Sequence, residues 1–335
     1  MNNIKKIGLT ALAGSLVAFS ANAVEMSVTG SSELSYVSKD GKGTATDNGD
    51  VTEGNPFGSN TSIKFKGSGD VGFGTATIVR TLNDGLGAAL SQYTLLDMGD
   101  LGTLSFDSNG GSIAGLTPHD DNLPTAYEEA WNGVSTSGIS GAASNNTFGY
   151  TNSFGPLAVS LAKTKGGTAG TGDQGVSGVG ATGSITDIVV IYKPEEVEGL
   201  HIQAGVSQAD DNTGTAGAND TETQMLMAKY SVGPVSAGYQ LGAVDNSGST
   251  ADMDVKAYSI AFNVNDSLAV SYGRYDKENN SVGTTAAITE ESTGISAAYT
   301  TGAATIRMTN NEATNAGFVT AKEAEHTEIS VVLAF

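Results

Sequence analysis

Tyr258-Ser259-Ile260-Ala261-Phe262-Asn263-Val264-Asn265-Asp266-Ser267-Leu268-Ala269-Val270-Ser271-Tyr272-Gly273 is the stretch whose reading decides the fold. Tyr258, Ile260, Phe262 and Val264 fall on one face of an extended chain, and Ser259, Ala261 and Asn263 on the other. After the turn residues Asn265-Asp266 the pattern resumes, with Leu268, Val270 and Tyr272 set against Ala269, Ser271 and Gly273. Two alternating runs joined by a tight turn make a β-hairpin with one apolar and one small, polar face. The same period recurs in Val235, Ala237, Tyr239 and Leu241, in Ile295, Ala297 and Tyr299, and in Ile329, Val331, Leu333 and Phe335. Low-complexity disorder would account for the glycine content, 45 residues of 335, but not for this alternation.

Carried along the chain, this reading predicts sixteen strands, centred near Ser32, Phe65, Ile78, Thr94, Leu104, Gly149, Val159, Val189, Ala204, Ala228, Ala237, Ile260, Val270, Ala297, Ile306 and Val331. Short turns, such as Phe154-Gly155-Pro156 and Gly233-Pro234, mostly alternate with longer Gly/Ser/Thr/Asn-rich loops. Alternation alone also fits a soluble sandwich, strand by strand. Strand number and loop sorting favour an antiparallel transmembrane β-barrel, with short turns on one side of the membrane and long loops on the other. Sixteen strands closed on themselves leave an interior too wide for side chains to fill, hence an aqueous channel. Closure also removes the open edges that hydrocarbon could not satisfy. Aromatics at strand ends on the apolar faces, Phe148, Phe154, Tyr192, Tyr230, Tyr272, Tyr299 and Phe335, suit the headgroup level.

Residues 1–23 have the composition of a cleaved export signal. Lys5 and Lys6 precede an apolar stretch too short to span a bilayer, and Ala21-Asn22-Ala23 is a small-x-small cleavage site. The mature chain, 24–335, would keep 14 of the 16 basic residues against 36 acids, a formal charge of −22. Such an excess argues against nucleic acid as a partner. There is no cysteine, so no disulfide holds the exported chain together.

The longest interval without strand character is 109–145. It contains Thr117-Pro118-His119-Asp120-Asp121-Asn122-Leu123-Pro124, then Tyr127-Glu128-Glu129-Ala130-Trp131 with the single tryptophan. A loop of this length inside a compact fold is functional or disordered, and its prolines and aromatics favour function. The reading is that it folds into the bore and narrows it. Tyr127 and Trp131, four residues apart, would anchor it on the inner wall from one helical turn.

The ending Thr327-Glu328-Ile329-Ser330-Val331-Val332-Leu333-Ala334-Phe335 resembles that of Gram-negative outer-membrane porins. Leu101-Gly102-Thr103-Leu104-Ser105-Phe106, Phe154-Gly155-Pro156-Leu157 and the acidic loop are also porin-like, most similar to general porins of α-proteobacterial type. The resemblance covers the whole mature chain. It implies a sixteen-stranded homotrimeric barrel, a constriction made by the third loop, and a terminal aromatic read by the barrel-assembly machinery. Many such porins carry a wall arginine where Asp107-Ser108-Asn109 stands here, so a full arginine ladder is not implied.

The candidate constriction residues are Asp120, Asp121, Glu128 and Glu129 on the loop, facing Lys64, Lys66 and Arg80, with Arg307 also directed inward. Inward is the default for strand charges, because a charge on the lipid face costs about 2–4 kcal/mol at mid-membrane. His119, His201 and His326 lie in no nucleophile or metal motif, no phosphate loop is present, and no enzyme activity or cofactor is expected. Acid pairs such as Asp120-Asp121 lack the spacing of a Ca²⁺ loop, so no metal is expected either. The function expected is passive diffusion of small hydrophilic solutes and ions, cations preferred, across an outer-membrane lipid bilayer. The alternatives are a substrate-specific porin and, in another class, an exported β-rich adhesin.

Overall fold

The computed structural model describes residues 25–42, 55–84, 89–120, 122–139, 141, 146–165, 182–211, 220–247, 251–280 and 286–335. The expected export segment 1–23 lies outside them. The strands are β1 (Glu25–Lys42), β2 (Phe57–Asp70), β3 (Thr75–Leu82), β4 (Ala89–Asp97), β5 (Thr103–Asn109), β6 (Thr147–Phe154), β7 (Leu157–Thr164) and β8 (Thr182–Tyr192). They continue as β9 (Leu200–Asp211), β10 (Thr221–Val232), β11 (Val235–Asn246), β12 (Met253–Asn263), β13 (Leu268–Asn279), β14 (Ile288–Thr301), β15 (Ala304–Thr314) and β16 (Glu323–Ala334). Each pairs antiparallel with its neighbours in sequence, and β1 pairs with β16, so the sheet is a closed sixteen-stranded barrel. Every expected strand centre lies in its own strand. No described helix is long and apolar enough to cross a membrane.

The register sorts the side chains into two faces. Tyr239 lies opposite Tyr258, Ile260 opposite Tyr272 and Phe262 opposite Val270, all on the outside. The interior-exterior rule of soluble proteins is inverted, as a lipid surround requires. Leu226, Ile260, Ile295 and Leu333 are exposed, while Gln203, Gln240, Asn311 and Thr309 are buried. The seven strand-end aromatics singled out above are all exposed on the outer surface.

Barrel closure uses the last residue. The Phe335 N–H donates to the Gly30 carbonyl and the Gly30 N–H to the Phe335 carbonyl, both at 2.9 Å. The Phe335 ring lies on Gly30, where an added Cβ would come within 2.5 Å of it. Glycine therefore lets the terminal ring cover the β1–β16 seam.

One orientation differs from the sequence reading. Arg80 is opposite Phe65, whereas Lys64 is opposite Thr81 and Lys66 opposite Val79. Lys64 and Lys66 thus face the bore, and Arg80 shares the outer face with Phe65 and the exposed Ile78. Along 75–82, Thr75, Thr77, Val79 and Thr81 share one face and Ala76, Ile78, Arg80 and Leu82 the other, so the alternation already sets Arg80 among aliphatic residues, and the pairing with β2 agrees; the inward default for strand charges fails here. Arg80 sits two residues from the end of β3, beside the β3–β4 connection, where a charge on the outer face can reach water.

Candidate functional site

A non-strand segment inside a barrel has no ladder to satisfy its backbone, so the wall must supply partners. The residues between β5 and β6 meet that requirement with inward-facing polar side chains of β7 to β16. Gly115 N–H donates to Ser160 Oγ at 2.9 Å and Leu116 N–H to Asp187 Oδ2 at 2.8 Å. A Cβ at either Gly115 or Gly141 would come within 2.5 Å of that same oxygen, so both limbs of the loop lie flat on Asp187. Further round the wall, Gln203 donates to the carbonyl of His119, Gln240 to that of Asp120 and Ser259 to that of Pro124. Ala126 N–H and Tyr127 N–H then donate to Ser271 and Ser296.

At the far end of the loop the Tyr127 hydroxyl donates to Glu328 at 2.9 Å, and the Arg307 guanidinium stacks 4.2 Å from the Tyr127 ring centre. Arg307 also pairs with Glu33 and donates to Ser330. Asn132 donates to the Glu128 carboxylate. Burial pushes the Glu128 carboxyl above its usual range and nearby Glu328 adds to this, while Asn132, Tyr127 and Arg307 partly offset it. Burial and the bond to Glu328 likewise raise the Tyr127 phenol.

The loop then doubles back. Asn311 donates to the carbonyls of Glu129 and Asn132, both at 2.9 Å. Trp131 meets Tyr275 edge-on, ring centres 6.5 Å apart. Tyr275 donates through its hydroxyl to the Ser137 carbonyl. Lys277 and Glu290, both buried, form an ion pair at 3.2 Å, with Ser135 donating to Glu290 and Lys277 to Thr136. Leu116, Ala130 and Ile139 of the loop join Val189, Met225, Val255, Ala257 and Tyr275 of the wall in a hydrophobic cluster. The larger apolar core among the described residues is therefore inside the bore, between loop and wall.

Of the sequence-predicted site residues, the structure gathers Glu128, Tyr127 and Arg307 at the loop's far end, with Glu129 and Trp131 on the return limb and Asp120 on the outgoing one. Tyr127 and Trp131 both touch the wall, but they straddle a turn rather than one face of a helix, Tyr127 reaching β16 and Trp131 β13. Asp121 lies outside the described residues. Lys64 and Lys66 face the bore from β2, exposed, and Arg80 is not with them. Sequence reasoning missed Glu33, Asp187, Lys229, Lys277, Glu290 and Glu328. Each has inward parity on an alternating strand, so face assignment would have found them.

The Gram-negative porin family model matches residues 8–335. No curated protein matches the chain. Among solved structures, the anion-selective porin from Comamonas acidovorans is 13% identical over 93% of this chain and all of its own, with a TM-score of 0.65. OmpF of Salmonella typhi is 12% identical over 92% of this chain and 97% of its own, TM-score 0.64. The outer membrane channel DcaP of Acinetobacter baumannii is 11% identical over 94% and 99%, TM-score 0.63. At such identities the structures speak to the fold, which they share with this barrel over nearly all its length. The family match runs through all sixteen strands and the inward loop, and the chain belongs to the Gram-negative porin family.

Proposed function

We propose that this porin is a general diffusion channel for small hydrophilic solutes and ions, constricted by the loop between β5 and β6 and preferring cations. Membership of the family makes it an outer-membrane channel rather than an enzyme. The observation that supports the finer reading is the set of side-chain bonds holding the loop against the inner wall from β7 to β16, while Lys64 and Lys66 on the inner face of β2 stay exposed. Asp120, Glu128 and Glu129 on that loop, Asp121 beside them in sequence, and a mature charge of −22 set a negative field in a bore with low-dielectric walls. Lys64 and Lys66 oppose it from β2; Arg80, turned outward, does not. Arg307 is largely spent on Glu33 and Tyr127.

The further parts of the proposal are export through residues 1–23, assembly by the barrel-assembly machinery through Phe335, a homotrimer, and the α-proteobacterial type of general porin. Reversal potentials across a KCl gradient test the selectivity. Cation preference that falls when Glu128 and Glu129 become Gln is expected, and an anion-selective wild type would overturn it.

A further inference from the structure

The outer face of β8 to β12 is not a smooth cylinder. Its outward side chains form rows across the strands, and one row runs Val190, Ala204, Leu226, Leu241 and Lys256, each opposite the next. Val190 lies two residues before the end of β8 at its turn to β9, and Lys256 three residues into β12 from the β11–β12 loop. The row therefore climbs the wall obliquely from the short-turn side to the long-loop side. It crosses four strand spacings, roughly 19 Å. Half of a hydrocarbon core is about 15 Å thick, so the row is long enough for one leaflet. The adjoining row on the long-loop side runs Ile188, Val206, Gln224, Ala243 and Asp254. Alanine at 204 and 243, among larger side chains, leaves a trough of about 950 Å³ that opens away from the bore.

At the long-loop end of this trough the charges come in a fixed order. Lys256 is first, and among the described residues its ammonium has no hydrogen bond or ion pair. The acid opposite it, Asp276, is held through both oxygens by the Arg274 guanidinium. Two residues nearer the loop comes Asp254, which accepts from Asn280 through Oδ2 and has Oδ1 open among the described residues. Asp245 lies diagonal to it across β11, exposed, and directly opposite Glu222. Glu222 takes up the amides of Gln208 and Gln224, so these do not serve Asp245 or Asp254. Like charges opposite one another on a sheet destabilise it, and a cation between them reverses the sign. The trough thus ends in an open ammonium that suits an anion, then in carboxylates that suit a cation.

We propose that this trough binds one lipid whose headgroup is phosphoethanolamine. A tail lies over Ala204 and Ala243, the phosphate meets Lys256, and the primary ammonium beyond it meets Asp254 and Asp245. Tail, phosphate and amine follow one another in such a lipid in the order in which the wall presents aliphatic, basic and acidic side chains. Both polar contacts are charge-assisted hydrogen bonds, the stronger kind. A headgroup that is anionic throughout would set its outer part against Asp245, Asp254 and Glu222. A choline headgroup has the right charges but no N–H to donate. The proposal goes beyond the diffusion reading and rests only on the outer face of the barrel meeting lipid.

Native mass spectrometry of the purified full-length protein gives the test, with phosphatidylethanolamine, phosphatidylcholine and phosphatidylglycerol of identical tails supplied in equal amounts. Phosphatidylethanolamine should be retained in preference to both others. Lys256→Gln should lower its retention about tenfold, the loss of one charge-assisted contact. Asp254→Asn with Asp245→Asn should remove the preference over phosphatidylglycerol, and Ala204→Phe, which fills the trough, should reduce retention of all three. Equal retention of the three lipids by the wild type overturns the proposal. So does retention unchanged by Lys256→Gln in a variant that still migrates as a folded barrel. Loss of the oligomer in Lys256→Gln with lipid retention unaltered overturns it too, and would give this face to a second copy of the chain. Lys256 faces away from the bore, so Lys256→Gln should leave the reversal potential in place, and failure of the channel reading is seen separately.

Discussion

Replacing Glu290 by Ala should release the constriction loop without opening the barrel. Glu290 and Lys277 are 2% and 5% exposed at their side chains, with 3.2 Å between amine and carboxylate. Removing one partner of such a pair leaves the other charge buried and costs about 3–5 kcal/mol. Among the described residues the Lys277 ammonium would keep the Thr136 hydroxyl at 3.2 Å and the Phe318 ring at 5.4 Å. Ser135 and the Gly317 N–H also lose an acceptor, but Ser135 keeps the Thr136 carbonyl and Gly317 is exposed, so the buried Lys277 charge dominates. The barrel ladders do not pass through these groups, so the cheapest response is for the return limb to lift and let water in. Single-channel records of Glu290→Ala should therefore show excess noise and a larger mean conductance, while the temperature at which the folded band disappears on a gel changes little. Lys277→Met with Glu290→Leu removes both charges and should restore much of the quiet current, since an apolar pair of similar volume is near neutral. A double variant as noisy as the single one would refute the reasoning, as would a silent Glu290→Ala.

Three further outcomes are expected. Deleting Phe335 removes both seam bonds to Gly30 and the ring over it, and SDS-resistant protein should fall severalfold; normal yield would sever the terminal aromatic from assembly. Tyr127→Ala with Trp131→Ala should give noisier currents with the barrel intact, because both side chains bind loop to wall; loss of the barrel itself would make the loop part of the structural core. The Glu128 carboxyl, raised chiefly by burial, should lose its charge at a higher pH than an ordinary glutamate, so cation preference should be full above that raised value and decline as pH falls through it. The same sign makes its contribution to loop docking fullest at acid pH and lost as pH rises through the raised value, and reversal potentials measured from pH 7 to 4 in wild type and Glu128→Gln would check it.

The barrel was legible in the sequence because its cause is local. A period of two records which face meets lipid, as in Tyr258-Ser259-Ile260, and every strand centre could be placed from it. The site was less legible because its geometry comes from contacts between distant segments. Asp187 holds Leu116 across 71 residues and Glu328 holds Tyr127 across 201, and no spacing rule links them. Arg80 departs from the inward default for strand charges, although the alternation along 75–82 sets it with Ala76, Ile78 and Leu82 and its pairing with Phe65 agrees. The helical turn expected to align Tyr127 with Trp131 gave way to wall bonds that send the two rings to different strands.

The loop is fastened to β7 through β16, whereas the inner side chains at Lys64 and Lys66 on β2 stand exposed in the bore. The two halves of the inner wall are therefore under different constraints as the sequence drifts. On one half a change at Asp187, Gln203, Glu290 or Asn311 must preserve the fit to a second segment. On the other half a lysine can become a glutamate or a serine with little effect on folding and a direct effect on what passes. Selection on solute preference has an open field along β2, and a lineage could retune its permeability there while the fastened half keeps the constriction in place.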